Sequence, residues 1–316
     1  MTDFEKYSYI FNTRPGNAGK IVHGDLSTQY RNKINSTQQK DLAVFTSKKD
    51  FFSFCEKLQQ ELLEKTIAEE NLIAQGSQGK FYRIPGTNCA LRVPNDCMTV
   101  PIKPINKNVS SQDKANYILG RIGDNIEIIK YIDGKSVKEL KKRGMSIKKI
   151  ILNMPQEAYA GYIEKIKNAA QANMFHNYTK ENTLINEKYR FIVPIDFAHS
   201  LTKKANPIED LYFQFGNYLT TKEEQNNFFA KSVLGLVSLI EQDKLNYHCA
   251  GKINVSPEKI LEKFNPEDKK FICDSLSKLK KLLALKKLEN ISPDAKRALP
   301  EEIQKYKDYI NSHIKN

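Results

Sequence analysis

No run of eighteen apolar residues occurs in this chain, so no segment is long and apolar enough to cross a bilayer as a helix. The opening residues, Met1 to Ser8, also lack the basic and apolar blocks of a Sec signal peptide. Cysteine is scarce and irregular: Cys55, Cys89, Cys97, Cys249 and Cys273 are five in number and show no C-x-x-C spacing. An odd, scattered set argues against a disulfide framework or a zinc site, and for reduced thiols in a cytosol-like compartment. The five histidines are too dispersed for a zinc cluster. No internal repeat, no A-P-E motif and no nucleic-acid-binding signature is visible.

Positive charge is in surplus. Fifty Lys and Arg against 37 acidic residues give a net charge of +13, which favours acidic partners. The densest run, Lys278 to Leu288, lies on a helix predicted over 267–289, with Leu276, Leu279, Leu283 and Leu288 toward the core and the lysines outward. A solvated face is the simplest reading, and a site for an acidic protein or an anionic lipid surface is the alternative. With 40% hydrophobic residues, 316 residues hold one bilobal domain with extensions or two smaller domains. Residues 12–40 are rich in Asn, Ser, Thr and Gln, which predicts a flexible segment over 1–48 with the composition of a secretion signal. His23 to Leu26 mimics H-x-D-L, but it precedes every other motif and reads as chance.

The chemistry-bearing residues come in a fixed order. Asn71 to Tyr82 reads as strand, Gly turn and strand, and Gly76, Ser77 and Gly79 sit where backbone N–H groups can approach a phosphate without a Cβ between them. Arg92 follows Gly79 by thirteen residues, in the apolar strand Cys89 to Val93. Apolar runs on either side of Gly123, Asp124 and Asn125 predict a β-hairpin. The chain then leaves through Tyr131, Ile132, Asp133 and Gly134 toward a helix. Ala158, Tyr162, Ile163, Ile166 and Ala170 form a helical stripe over about 156–172, which leads to His176. Asn182 heads an apolar strand and Asp196 follows another, fourteen residues on, which suits two short strands and their turn. An amide oxygen and a carboxylate brought together this way suit a hard cation such as Mg²⁺.

This order resembles the protein-kinase-like superfamily. The segments Leu72 to Ser77, Ile132 to Gly134, His176 to Ile185 and Pro194 to Phe197 are most similar to small type III effector kinases of the OspG/NleH type. Ala90 to Pro94 and Phe175 to Asn177 also look like choline kinase and aminoglycoside phosphotransferase sequences. The similarity is one of motifs and covers about residues 71–200. It implies an α+β, bilobal protein-kinase-like fold: a flexible segment over 1–48, a small β-rich N-lobe over 49–134 including a preceding helix, and a mostly helical C-lobe with an extension over 135–316. It further implies ATP bound by Gly76, Ser77, Gly79, Arg92, Tyr131 and Asp133, with Mg²⁺ on Asn182 and Asp196. The expected activity is phosphotransfer to a host protein by a virulence effector secreted into the host cytosol; the alternative location is the bacterial cytoplasm.

Two departures qualify the resemblance. Such kinases carry His-x-Asp, whose Asp accepts the substrate proton, with an Asn five residues beyond it. Here the run from His176 to Asn182 is one residue short, and Asn177 or Tyr178 stands at the base position. His176, Asn177 and Tyr178 are therefore the candidates for orienting the hydroxyl, and Glu181 and His176 are the nearby proton acceptors. The stretch from Val93 to Pro104 holds three prolines where a long helix with a pairing Glu belongs. A helix over about 49–69 offers Glu56, Glu61 or Glu64 to Arg92 instead. The missing base keeps three alternatives open: a pseudokinase binding module, AMP transfer or glutamylation, and small-molecule phosphorylation.

Beyond Phe197 the pattern predicts helices over about 208–219, 221–243, 256–263, 267–289 and 299–314. Ser256 and Asn265, each followed by Pro and an acid, read as capped helix starts.

Overall fold

The computed structural model describes residues 71–75, 79–83, 89–95, 110–122 and 126–314, apart from 178, 180, 189, 200–203, 257, 263 and 265. The expected flexible segment, the helix over 49–69 with Glu56, Glu61 and Glu64, and Gly76, Ser77, Tyr178, Cys55 and Cys97 lie outside the described residues. Antiparallel sheet dominates the N-terminal part and helix the C-terminal part. The chain divides into two units, with the boundary between Asp133 and Gly134.

The N-terminal unit is a five-stranded sheet of β1 (Leu72–Gln75), β2 (Gly79–Arg83), β3 (Cys89–Pro94), β4 (Ile118–Ile122) and β5 (Ile126–Lys130), in the order β1-β2-β3-β5-β4. Every neighbouring pair is antiparallel. Alternation along β5 buries Ile126 and Ile128, and Cys89, Ala90 and Leu91 of β3 join them in the core. The predicted hairpin is β4–β5. A short helix, α1 (Ser111–Ala115), precedes it. Its start is held by a reciprocal cap: Asp113 N–H donates to Ser110 Oγ at 3.0 Å, and Ser110 N–H donates to the Asp113 carboxylate at 2.9 Å. Gly79 is required by its neighbour strand, because an ideal Cβ there would stand 2.6 Å from the Val93 carbonyl oxygen.

The C-terminal unit opens with β6 (Lys135–Ser136) and the helices α2 (Val137–Lys142), α3 (Ile147–Asn153) and α4 (Gln156–Gln171). Four short strands follow: β7 (Met174–His176), β8 (Thr183–Asn186), β9 (Phe191–Pro194) and β10 (Phe197–His199). They form an antiparallel sheet β6-β8-β9 and an antiparallel pair β7-β10. Helices α5 (Pro207–Phe215), α6 (Lys222–Glu241), α7 (Tyr247–Lys252), α8 (Glu258–Leu261), α9 (Pro266–Leu288) and α10 (Pro293–His313) complete the unit. Thr221 and Glu224 cap α6 reciprocally, and Asn206 caps α5 ahead of Pro207. Among the described residues no helix is long and apolar enough to cross a membrane. Among the described cysteines, Cys89 and Cys249 are buried and Cys273 is exposed, and none is in a disulfide.

Helix α4 runs where the stripe from Ala158 to Ala170 predicts, but it is buried on nearly every side, Glu164, Lys165 and Lys167 included. Packing against α6 and β9 encloses it. Its charges are met inside: Lys244 reaches Glu164 at 3.3 Å, and Lys167 donates to the Lys244 carbonyl at 2.6 Å. The close approach of α4 and α6 needs Gly235, whose Cβ would lie 2.9 Å from the Ala160 nitrogen.

The C-terminal helices depart from expectation in three places. Helix α10 starts at Pro293 under a Ser292 cap rather than near 299, and Pro300 lies inside it. The short α7, capped by Asn246, carried too few periodic residues to predict. On α9, Leu276, Leu279 and Leu283 are buried as expected, but Leu288 is exposed and Lys286 is buried. Lys286 bonds Asp243 and Glu289, whose carboxylates replace its lost hydration. Lys281 pairs with Glu302, and Lys278 lies 4.9 Å over the Tyr309 ring, so part of the basic run is neutralised within the unit.

Candidate functional site

In the C-terminal unit the two strand pairs bring His176, Asn177, Asn182 and Asp196 together. The β8–β9 register sets Thr183 opposite Pro194, so the residues just outside the hairpin's open end, Asn182 and Ile195, also meet: Ile195 N–H donates to the Asn182 carbonyl at 2.8 Å. The β7–β10 register sets His176 opposite Phe197, and Asn177 N–H donates to the Asp196 carbonyl at 3.0 Å. Asp196 joins the two pairs with a left-handed backbone, φ +64°, a conformation that L residues other than Asn and Asp seldom adopt.

The side chains then converge. Asn182 Nδ2 donates to Asp196 Oδ2 at 2.9 Å and to the Asn177 carbonyl at 2.6 Å, and Asn177 Nδ2 donates to the same Asp196 oxygen at 3.1 Å. Asn177 and Asp196 are exposed and Asn182 is half-buried. Turning the Asn182 amide about its last side-chain bond would present its oxygen beside the carboxylate. Asp196 with an amide oxygen is an all-oxygen donor set that fits Mg²⁺, which keeps waters and phosphates for its remaining positions. Among the described residues no group of three His, Cys, Asp or Glu side chains is placed to hold a metal by itself.

Beneath this exposed group lies a buried one. His176 Nδ1 stands 3.0 Å from both Asp210 oxygens, and Nε2 lies 2.9 Å from the Asn182 carbonyl oxygen. Tyr162 O–H donates to Asp210 at 3.0 Å. A carbonyl only accepts, so Nε2 carries a proton toward Asn182, while Nδ1 faces the Asp210 carboxylate and the Tyr162 hydroxyl. Burial alone would depress its pKa, but the Asp210 charge and hydrogen bond, with the Asn182 carbonyl, raise it above the ordinary histidine value. His176 was expected among the groups that orient a hydroxyl. Its side chain is 1% exposed and both nitrogens are engaged, so it instead positions the Asn182 backbone from below.

Two partners of that clamp escape sequence reasoning. Tyr162 reads as one apolar position of a helical stripe, and Asp210 reads as an acid of a helix's first turn. Only the packing of α4 and α5 on β7 assigns them. Glu181, the other nearby proton acceptor, is exposed and bonded to Lys138, which holds its carboxyl below the ordinary range.

In the N-terminal unit Arg92 and Glu127 are register partners on β3 and β5, joined at 3.0 Å. Arg121 bridges Glu127 to Asp113 and makes a linked set of four charges. The hydrogen bond from Arg121 pulls the Asp113 carboxyl down to about 2. The acid beside Arg92 is thus supplied by the neighbouring strand, a pairing hidden in sequence until the register is known. Tyr131, in the segment after β5, lies under the Arg83 guanidinium at 3.8 Å, and Asp133 is exposed at the unit's end. Compared with known proteins, the chain matches no protein-family model and no curated sequence.

Proposed function

We propose that this chain is an ATP-dependent phosphotransferase of the protein-kinase-like, bilobal type, with Asp196 and Asn182 as the ligands of Mg²⁺. The observation that carries this reading is the 2.9 Å approach of Asn182 to Asp196 across the open end of the β8–β9 hairpin, with the His176 ring fixed under it. Bound there, Mg²⁺ would offset the negative charge that builds on the transferred phosphoryl group.

The residues of the chain do the positioning. His176 holds the Asn182 carbonyl, Asn177 and Asn182 aim the Asp196 carboxylate, and the loop from Asn177 to Asn182 orients the acceptor hydroxyl. No carboxylate stands at the usual base position, and phosphoryl transfer depends mainly on alignment and charge stabilisation, so the loop suffices without one. In this reading Arg92, aligned by Glu127, and Gly79 belong to the nucleotide-binding part. The motif resemblance to effector kinases extends the proposal to a secreted protein acting on a host protein.

A second reading, a pseudokinase that binds nucleotide without turnover, is favoured by Asn177 itself, an amide standing where a carboxylate is expected. Incubation with Mg²⁺, host lysate and ATP labelled at the α or γ phosphate decides between them, with Asp196→Ala as control. Asp196-dependent transfer of γ label supports the kinase. Transfer of α label means AMP transfer, and nucleotide binding without any transfer means the pseudokinase.

A further inference from the structure

The C-terminal unit holds a cavity of about 640 Å³ lined by Lys138, Lys141, Lys142, Thr179 and Glu181. Local sequence explains it. Ser136 and Glu139 cap α2 reciprocally, and Val137 and Leu140 are buried. That leaves Lys138, Lys141 and Lys142 at i, i+3 and i+4, on one outward face. Pairing of Ser136 with Leu184 starts α2 beside the strand that follows Asn182. Thr179 N–H donates to the Asn177 carbonyl at 2.8 Å, and Asn182 N–H to the Thr179 carbonyl at 3.0 Å. The cavity and the Asn182–Asp196 pair therefore share one tightly folded loop.

Three ammonium groups face one carboxylate in this cavity. Lys138 is paired with Glu181, while Lys141 lies 4.8 Å over the Tyr218 ring. Among the described residues the lining is one of charge, with three lysines and one glutamate beside Thr179. A carboxylate is already seated there, from the chain's own Glu181.

We propose that this cavity receives an acidic stretch of the acceptor protein, its carboxylates bound by Lys141 and Lys142 and, once Glu181 is displaced, by Lys138. The proposal rests on the phosphotransferase reading only in assigning the acidic stretch to the acceptor. Glu181 then acts as an internal competitor, which separates this arrangement from a merely basic surface. Loss of Lys141 and Lys142 weakens binding, and loss of the Glu181 charge strengthens it.

Fluorescence anisotropy on the full chain tests this with a short labelled peptide holding one serine among Asp and Glu. The controls are the same peptide with Asn and Gln in their place, and a labelled oligouridylate. Tighter binding of the acidic peptide is expected, with about tenfold loss in the Lys141→Gln/Lys142→Gln variant, a gain in Glu181→Gln, and weakening by salt. Equal binding of the neutral peptide, tighter binding of the oligouridylate, no binding at all, or no gain in Glu181→Gln overturns the inference. Circular dichroism melting of each variant confirms that it is folded. Phosphate transfer is read separately on the same peptides. Charge-selective binding without transfer sinks the kinase reading and leaves the cavity's assignment standing; transfer that ignores peptide charge does the reverse.

Discussion

His176 and Asp210 meet inside the C-terminal unit with Nδ1 3.0 Å from each carboxylate oxygen, and both side chains are almost wholly buried. Neither group reaches solvent, so each depends on the other as its polar partner. Removing one partner of such a pair, in His176→Gln or Asp210→Asn, is expected to cost about 3–5 kcal/mol in urea unfolding. The double variant should recover part of that loss, since it leaves no lone charge. Additive losses in the cycle would count against the pair.

The same contact has a pH signature. The folded pKa of His176 lies above its ordinary value, so its stabilisation is fully present below about pH 6.5 and is lost as pH rises through the raised folded value. Melting temperature should therefore fall with rising pH in the native chain by more than in His176→Gln. Parallel curves for the two proteins would show that the imidazole is not the group responsible.

Asp196 should behave in the opposite way, as an exposed group with little stake in stability. Asp196→Ala is expected to lower Mg²⁺-dependent ATP affinity by at least about tenfold to a hundredfold, with a melting temperature within a few degrees of the native chain. Isothermal titration with and without Mg²⁺ reads this directly. Unchanged Mg²⁺-dependent affinity would remove Asp196 from the metal site.

Asp113 is held down to about 2 by Arg121, so its contribution is present above the ordinary carboxylate value of 3.8 and lost as pH falls from there toward 2. Asp113→Asn is expected to cost about 1–2 kcal/mol at neutral pH through the weakened charge-assisted bond. That difference should shrink across the acid window, as followed by urea unfolding. A constant difference down to pH 2 would contradict the assignment.

Gly79 tests what the glycine is for. Its Cβ would press the Val93 carbonyl at 2.6 Å, so Gly79→Ala is expected to destabilise the fold by about 1–3 kcal/mol whether or not nucleotide is present. An effect on ATP affinity with no change in melting would show that phosphate approach, and not the fold, requires the glycine.

The elements legible in the sequence are those whose signal is local. The apolar runs of β4 and β5 and the stripe of α4 lie within one segment each. The fourteen residues from Asn182 to Asp196 announce a hairpin because two apolar runs and a turn fill that span. Hidden from the sequence were pairings across long separations, such as Arg92 with Glu127 and His176 with Asp210, which register and helix packing decide. The start of α10 was missed for a different reason. Pro300 looks like a first-turn proline, yet Ser292 with Pro293 supplies the actual cap.

The β8–β9 hairpin also bears on how this protein can change over generations. Its open end carries Asn182 and Asp196, while its turn carries Arg190, an exposed residue with φ +55°. Sliding one strand by a single residue would move the amide about 3.3 Å along the carboxylate's strand and reverse which side chains face inward. The hairpin is thus a ruler pinned at both ends, at the far one by Arg190, whose guanidinium donates to the Asn153 carbonyl. A single deletion between Thr183 and Asn186 is therefore expected to part the amide from the carboxylate.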